Sequence, residues 1–510
     1  MAEPIVSLTA LYPRSRTVKI SLLFIVVAVV CAFFSDVEIT TLYPWQEMSR
    51  LAHGLITPDF SDFRVIVNAL MQTIAFAFLG VSLGAVFGFL LSLVFDYRLV
   101  HMTCAILRSV HELFWALIFL QFFGLHPLTG VLAIAIPFSA ICAKVYAEIF
   151  EEADTAPYNA LPGGSRRVVS FFYTRLPMVW QHIKTYTSYR LECGLRTSAV
   201  LGFIGLPTLG FYLEVFFKQG LYSQAAALLL TFYLLIATMR WWLRPQLLLV
   251  YLILSIYMLL PAAVDIDMAN VKRFFTEDIV PYPLRALDDG TTTVFATIQN
   301  FFHWFYELFW LQAFDGIVQT LLLTQVSLVL SGMLALILFP LITRHFQGTI
   351  GRGLGHGFLV ILRSTPEYLL AYIFLQLWGP SMLPAMIALM LHNGAIIGHL
   401  CGRYANEIVL PNNSIKGVNL FAWEIVPRIY PQFLAFLFYR WEIIFRETAI
   451  LGMLGLYTLG FYVDSAFEEI RYDRAILLIA ITAIINIGID SLSRRIRQYL
   501  RLTTTVQCGQ

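Results

Sequence analysis

Apolar runs of about 20 residues recur along the whole chain, each long enough to cross a hydrocarbon core of roughly 30 Å. They are continuous rather than alternating, which predicts helices and not barrel strands. The pattern places spans at about 19–36, 66–96, 103–124, 129–149, 180–204 and 221–240. A second set follows at about 246–263, 315–343, 357–378, 382–404, 430–454 and 473–492. The expected fold is thus all-α and polytopic, with about 12 transmembrane helices in a six-plus-six arrangement. The first run, Ile20 to Phe34, follows Arg14, Arg16 and Lys19 as a signal peptide would. Ser35-Asp36-Val37-Glu38 is a poor cleavage site, so the run is expected to stay as a helix.

The polar connections set the orientation. With the N-terminus in the cytoplasm, the cytoplasmic connections carry Arg98 and Arg108, then Arg166, Arg167 and Arg175, then Arg240 and Arg244. Further on they carry Arg344 and Arg352, then Arg403, Lys416 and Arg428, and finally Arg494, Arg495, Arg497 and Arg501. The outer connections near 125–128 and 378–382 have no Lys or Arg, so positive charge falls on one side throughout. Both termini are expected in the cytoplasm. The two halves then run in the same direction, as parallel repeats divided at about 1–245 and 246–510. Two outer segments are long, 37–65 and 264–314. The second is rich in aromatic residues (Phe301, Phe302, Trp304, Phe305, Tyr306), which suits a docking surface, a helix lying on membrane lipid, or a plain solvated linker.

Composition sharpens this picture. Apolar residues make up 59% of the chain and charged residues 13%, about half the usual charged share, as a membrane protein requires. A net charge of +2 gives no basis for a nucleic-acid partner. The six cysteines show no CxxC spacing, so neither a disulfide framework nor a metal site is predicted.

The chain also repeats itself. Residues 189–212 (YRLECGLRTSAVLGFIGLPTLGFY) and 439–462 (YRWEIIFRETAILGMLGLYTLGFY) are identical at 14 of 24 positions, including Arg190/Arg440, Glu192/Glu442 and Arg196/Arg446. The period, about 250 residues, is far too long for a solenoid unit of roughly 20–50 and marks a duplicated half-molecule. Smaller landmarks recur as well: Arg108-Ser109-x-x-Glu112 with Arg363-Ser364-x-x-Glu367, Gln72-Thr73 with Gln319-Thr320, and Tyr146-Ala147 with Tyr404-Ala405. Each half carries a cytoplasmic loop between its fourth and fifth helices, at about 148–177 and 406–427. Each loop has an acidic start, a short helix, a glycine-containing turn and a helix ending in Leu-Pro or Val-Pro.

Loop and repeat together, with Tyr-Arg-x-Glu-x-x-x-Arg-x-(Thr/Ser)-Ala-x-Leu-Gly-x-x-Gly and the later Tyr472-Asp473-Arg474-Ala475, closely resemble the permease subunit of phosphonate-type ABC importers. The resemblance covers nearly all of each half from about residue 66 and makes the chain look like two such permeases fused. It implies a type I importer permease fold in the bacterial inner membrane and a transporter rather than an enzyme. It also implies a separate ATPase dimer that carries ATP and Mg, and a periplasmic or lipid-anchored solute-binding protein. No cofactor is expected in this chain, which lacks a Gly-x-x-x-x-Gly-Lys-(Ser/Thr) loop. The residues expected to couple to the ATPase are Glu151, Glu152, Ala160, Leu161 and Gly164 in the first loop, and Lys416 and Gly417 in the second. The family's Glu-Ala-Leu is Asn159-Ala160-Leu161 here, followed by Pro162, and the second loop is shorter and lacks Ala-Leu. Unequal coupling of the two halves is therefore expected.

The charged repeat admits two readings. Glu192 and Arg196 are four apart on one helix face, as are Glu442 and Arg446, so each pair can neutralise itself. Alternatively Arg196 and Arg446 line a central path and attract a tetrahedral oxyanion through their planar forks, with Ser198 and Thr448 adding hydroxyl donors. Arg190 and Arg440 suit a structural or interfacial role. Glu112 and Glu367 are expected to pair with Arg108 and Arg363 at i, i+4. His392-Asn393, whose first-half counterpart is Phe138-Ser139, suits a packed polar pair. Gly80, Gly84 and Gly88 are spaced for close helix packing. Gly351-Arg352-Gly353-Leu354-Gly355-His356-Gly357 suits a flexible cytoplasmic turn. The rival assignment is an ion-coupled secondary transporter of the major-facilitator type, opposed by the position of the longest loops within each half. A membrane enzyme or scaffold would need an acid/base or metal constellation that the sequence does not display.

Overall fold

Every element in the computed structural model is helical, with no strand among the described residues, which are 16–153, 167–259, 268–288, 293–410 and 417–502. Among these, six helices are long and apolar enough to cross a membrane, and up to ten if each sharply bent pair is one crossing. The helices that position the functional residues are α1 (Arg16–Phe33), α2 (Pro44–Ile56), α3 (Phe63–Ser92), α4 (Arg98–Ser109), α5 (Glu112–Phe123) and α6 (Pro127–Glu152). There follow α7 (Leu176–Val200), α8 (Leu209–Lys218), α9 (Tyr222–Ala237) and α10 (Leu248–Leu259). The later set is α11 (Val294–Leu308), α12 (Phe314–Leu338), α13 (Thr349–Ser364), α14 (Glu367–Trp378), α15 (Met382–Glu407), α16 (Val426–Ile450), α17 (Leu459–Glu468) and α18 (Tyr472–Tyr499).

Two compact units emerge, and they do not follow the order of the chain. Among the described residues, one gathers those of 42–313 and 462–487; the other gathers those of 16–41, 314–461 and 488–502. In the first unit, α3 lies on α6 through the predicted glycine stripe. A Cβ on Gly80, Gly84 or Gly88 would come within 2.5–2.9 Å of Ile134, Phe138 and Cys142. Close backbone approach of this kind drives helix association where the hydrophobic effect is absent. In the second unit the same type of pair, α12 on α15, carries its glycines on the opposite partner. Gly394 and Gly398 of α15 meet Leu334 and Leu338 of α12, and Gly402 meets Ile342 in the 3₁₀ turn that follows it. Helix α1 belongs to this unit: Gln325 Nε2 donates to the Phe24 carbonyl at 3.2 Å, and Tyr430 Oη donates to Ser21 Oγ at 2.7 Å.

Several sequence expectations are corrected here. The spans predicted at 103–124 and 357–378 are broken into α4–α5 and α13–α14, bent by 92° and 86°. Val110 and Thr365 adopt extended backbone at the breaks. Pro366 explains the second, because the residue before a proline is pushed out of the helical region. In the first, His111 Nδ1 accepts from the Leu113 backbone N–H at 3.2 Å and so caps a new helix start. The i, i+4 geometry invoked for Arg108–Glu112 and Arg363–Glu367 therefore lapses, since no single helix carries either pair. Residues 349–364 form α13, so the glycine-rich 351–357 stretch is helical and not a turn. Gly355 is required there because a Cβ would lie 2.4 Å from the Leu341 carbonyl oxygen. The Leu-Pro and Val-Pro steps do not end helices either. Helical backbone runs through Pro177 from Phe171 to Ile204 and through Pro427 from Leu420 to Leu454. Both runs begin with a widened π turn, Phe171–Arg175 and Leu420–Ile425, immediately before the residue preceding the proline or close to it. A proline that supplies no N–H to the preceding turn favours such widening.

Candidate functional site

The repeated 24-residue segment folds the same way twice, and most of its identities serve one device. In the first copy α7 tightens into a short 3₁₀ turn at Leu201–Ile204, reverses at Gly205 and restarts as α8, a bend of 50°. In the second, α16 passes through Leu451–Leu454 and Gly455 into α17, bent by 45°. Gly205 and Gly455 have φ of +94° and +89°, a region that glycine occupies without a steric penalty. Gly202 and Gly210 let the two arms touch: a Cβ there would lie 2.0 Å from the Phe211 amide nitrogen and 2.0 Å from the Ala199 carbonyl oxygen. Gly452 and Gly460 do the same against Phe461 and Ala449. Thr208 and Thr458 each donate a hydroxyl to the Ala199 or Ala449 carbonyl at 3.2 Å.

The Gln-Thr landmark belongs to the same elbow. Thr73 Oγ1 accepts the Leu209 backbone N–H at 3.0 Å, and Thr320 Oγ1 accepts that of Leu459 at 3.0 Å. Each threonine thus ties the first free N–H of the restarted helix to a neighbouring long helix, satisfying a donor that helix geometry leaves unpaired.

The charged residues stand on α7 and α16 ahead of these elbows, and here the copies diverge. On α7, Arg190 Nε donates to Tyr186 Oη at 2.7 Å. Its guanidinium carbon lies 5.1 Å from the Tyr186 ring centre and 5.8 Å from those of Tyr189 and Phe138. These are cation–π distances. On α16, Arg440 Nη1 lies 3.8 Å from Glu447 Oε1. Glu447 Oε2 accepts from Asn393 Nδ2 at 2.7 Å. Around it, His392 Nδ1 bonds the Thr365 carbonyl at 2.8 Å, and His392 Nε2 faces Glu367 Oε2 at 3.6 Å. Ligand atoms of Glu367, His392 and Glu447 all fall within 4.8 Å of one another. In the first unit a smaller version persists as His111 Nε2 beside Glu112 Oε2 at 3.3 Å.

Arg196 donates through Nη2 to Cys193 Sγ at 3.3 Å and is part-buried, as are Glu192, Glu442 and Arg446. Ser198 and Thr448 are fully buried. Their hydroxyls donate to backbone carbonyls, Ser198 to Thr73 and Leu195 and Thr448 to Ile444, so neither offers a proton to a ligand as the sequence suggested. Glu151 and Glu152 are exposed at the end of α6, and Gly417 takes φ +69° before the second π turn. Ala160, Leu161, Gly164 and Lys416 lie outside the described residues.

Sequence reasoning missed Glu447 and the His392–Glu367 contact. One signal was present: aligning the repeats sets Thr197 against Glu447 and Phe138 against His392, two of the places where the chemistry changes.

Comparison with known proteins places these features in a family context. The phosphate-import permease protein PhnE of Mycolicibacterium smegmatis is 21% identical over 481 residues, 88% of this chain and 88% of its own length. The phosphite transport system permease protein PtxC of Stutzerimonas stutzeri is 28% identical over 223 residues, 42% of this chain and 81% of its own. The putative phosphite transport system permease protein HtxE of the same organism is 31% identical over 143 residues, 28% of this chain and 55% of its own. No family model and no solved structure matches the chain. The relatives are transport permease subunits and not enzymes, and the chain, like them, is a multi-pass membrane protein.

Proposed function

We propose that this chain is the membrane-spanning permease of an ATP-driven ABC importer for a phosphite-, phosphonate- or phosphate-like oxyanion. The observation that carries this reading is the match to a phosphate-import permease over 88% of both chains. A half-length phosphite permease matches only 42% of the chain, as expected if two permease halves are fused here.

In this reading residues 1–245 and 246–510 are parallel six-helix repeats of the type I importer fold, about 12 spans in all, with both termini in the cytoplasm of a bacterial inner-membrane system. The count follows if each bent pair crosses once and the shorter apolar helices α9 and α10 cross too. A separate ATPase dimer, carrying ATP and Mg, docks on the loops at 148–177 and 406–427. A periplasmic or lipid-anchored binding protein delivers the anion from outside. Arg196 and Arg446, each four residues after a glutamate, provide positive charge along the path, with Glu192 and Glu442 easing the cost of a charge on each helix.

The test is uptake of phosphite, methylphosphonate and phosphate into liposomes holding the chain with its ATPase and binding protein. Uptake should require ATP, and a correctly assembled Arg196→Ala/Arg446→Ala double variant should lose it. Uptake that survives removal of the ATPase and collapses with a protonophore would instead establish a secondary transporter.

A further inference from the structure

We propose that the oxyanion is held by one repeat only, at Arg190 on α7, and that Arg440 is its neutralised counterpart. This inference rests on the importer reading above. The internal duplication supplies its own control, because the two arginines occupy the same position of the same motif. Arg440 has a carboxylate beside it, Glu447, which is also fixed by the Asn393 amide. None is recorded beside Arg190 among the described residues: its hydrogen bond goes to the neutral Tyr186 hydroxyl, and the rings of Tyr186, Tyr189 and Phe138 lie around it.

The substitutions responsible are specific. Thr197 stands where Glu447 stands, which removes the acid, and Phe138 stands where His392 stands, which brings a ring face instead of a polar group. Aromatic faces attract a cation but cancel none of its charge. A guanidinium on a membrane-spanning helix without a counter-ion is costly unless a ligand completes it. Tyr186 engages only Nε, so both terminal nitrogens, the fork that matches a phosphonate or phosphate edge, are left for that ligand. Arg190 is part-buried among these rings. Tyr186 is itself positioned by the ring of Tyr146 at 6.0 Å, whose hydroxyl bonds Thr187 at 2.7 Å, which holds the receptor on the α6–α7 side of the repeat.

The experiment uses the reconstituted transporter with its ATPase and binding protein, and labelled phosphate and phosphite as probes. Arg190→Gln should lower uptake about tenfold or more, the loss expected when a charge-assisted hydrogen bond is removed. Arg190→Lys should retain part of the rate, because charge remains without the fork. Binding-protein-stimulated ATP hydrolysis should stay within about twofold, a readout that a misassembled complex would not preserve. Thr197→Glu leaves Arg190 in place and gives it the acid of the second repeat; it should lose uptake as Arg190→Gln does, and it decides the matter if Arg190→Gln does not assemble. Arg440→Gln should transport within about twofold of the parent chain. Normal uptake by Thr197→Glu, or equal losses from Arg190→Gln and Arg440→Gln, would overturn the one-sided site. A parent transporter that takes up none of these anions would refute the importer reading instead.

Discussion

Replacing Thr73 with valine keeps the shape of the side chain and deletes one hydroxyl, so it isolates the tie that holds the first elbow. Thr73 is fully buried, and its Oγ1 both donates to the Ala69 carbonyl at 2.7 Å and accepts the Leu209 N–H at 3.0 Å. Ala69 keeps its ordinary helical partner, so that loss is small. Leu209 does not: it is fully buried at the start of α8, where no earlier turn offers an acceptor. An orphaned buried N–H costs about 1–3 kcal/mol. Each kcal/mol lowers the melting temperature of a 150–250-residue unit by about 2–4 °C, and the low end suits the larger unit that holds Thr73. The expected fall is therefore about 2–6 °C. A thiol-reactive dye measures it, since Cys104 and Cys142 are free and buried in the same unit. The duplication predicts that Thr320→Val, which orphans Leu459, costs the same within about 0.5 kcal/mol, read through Cys401. Thr73→Ser keeps the acceptor and should fall well short of the valine variant. A serine variant that loses as much as valine would show that packing, and not the hydrogen bond, holds the elbow.

The glycines of α13 give a second check. Gly353→Ala and Gly357→Ala meet nothing within 4 Å and should each stabilise by about 0.5–1 kcal/mol in a thermal-shift assay, whereas Gly355→Ala should destabilise against the Leu341 carbonyl. Acid should loosen α2 from α9. Glu47 has its carboxyl held below the usual range first by the hydrogen bond from Tyr222 Oη at 2.8 Å and then by Arg50, against the opposing effect of burial. A depressed carboxylate contributes stability above its unfolded pKa of about 4.3 and loses it as pH falls through the lower folded value. Hydrogen exchange of residues 44–56 should accordingly rise below about pH 4, and Glu47→Gln should abolish that dependence; an unchanged acid profile in Glu47→Gln would count against the link. The two cytoplasmic loops should be unequal, with alanine blocks across 151–165 lowering transport-coupled ATP hydrolysis more than blocks across 406–418. Equal losses would remove that asymmetry.

Much of this protein is legible in one dimension because membranes impose simple rules. Helical class, the presence of several apolar crossings and the duplication follow from chain-local quantities, namely run length and identity at a fixed offset. The glycine stripe of α3 was legible for the same reason, since close packing of helices in lipid needs small residues at a helical period. The breaks between α4 and α5 and between α13 and α14 were not. An apolar run reads alike whether straight or bent by 90°, and the first break depends on a histidine cap and not on a proline. The glycine-rich start of α13 misled for the opposite reason: local propensity disfavoured a helix that packing against Leu341 supports. The repeat announced its importance through its charges, but tertiary structure shows that most of its identities build an elbow. The Gln-Thr landmark, more than 130 residues away in the chain, proves to be part of that elbow. The difference between Arg190 and Arg440 also had to wait for the fold. It depends on which residues of α6 and α15 reach α7 and α16, a matter of helix packing across long sequence separations that no local pattern encodes.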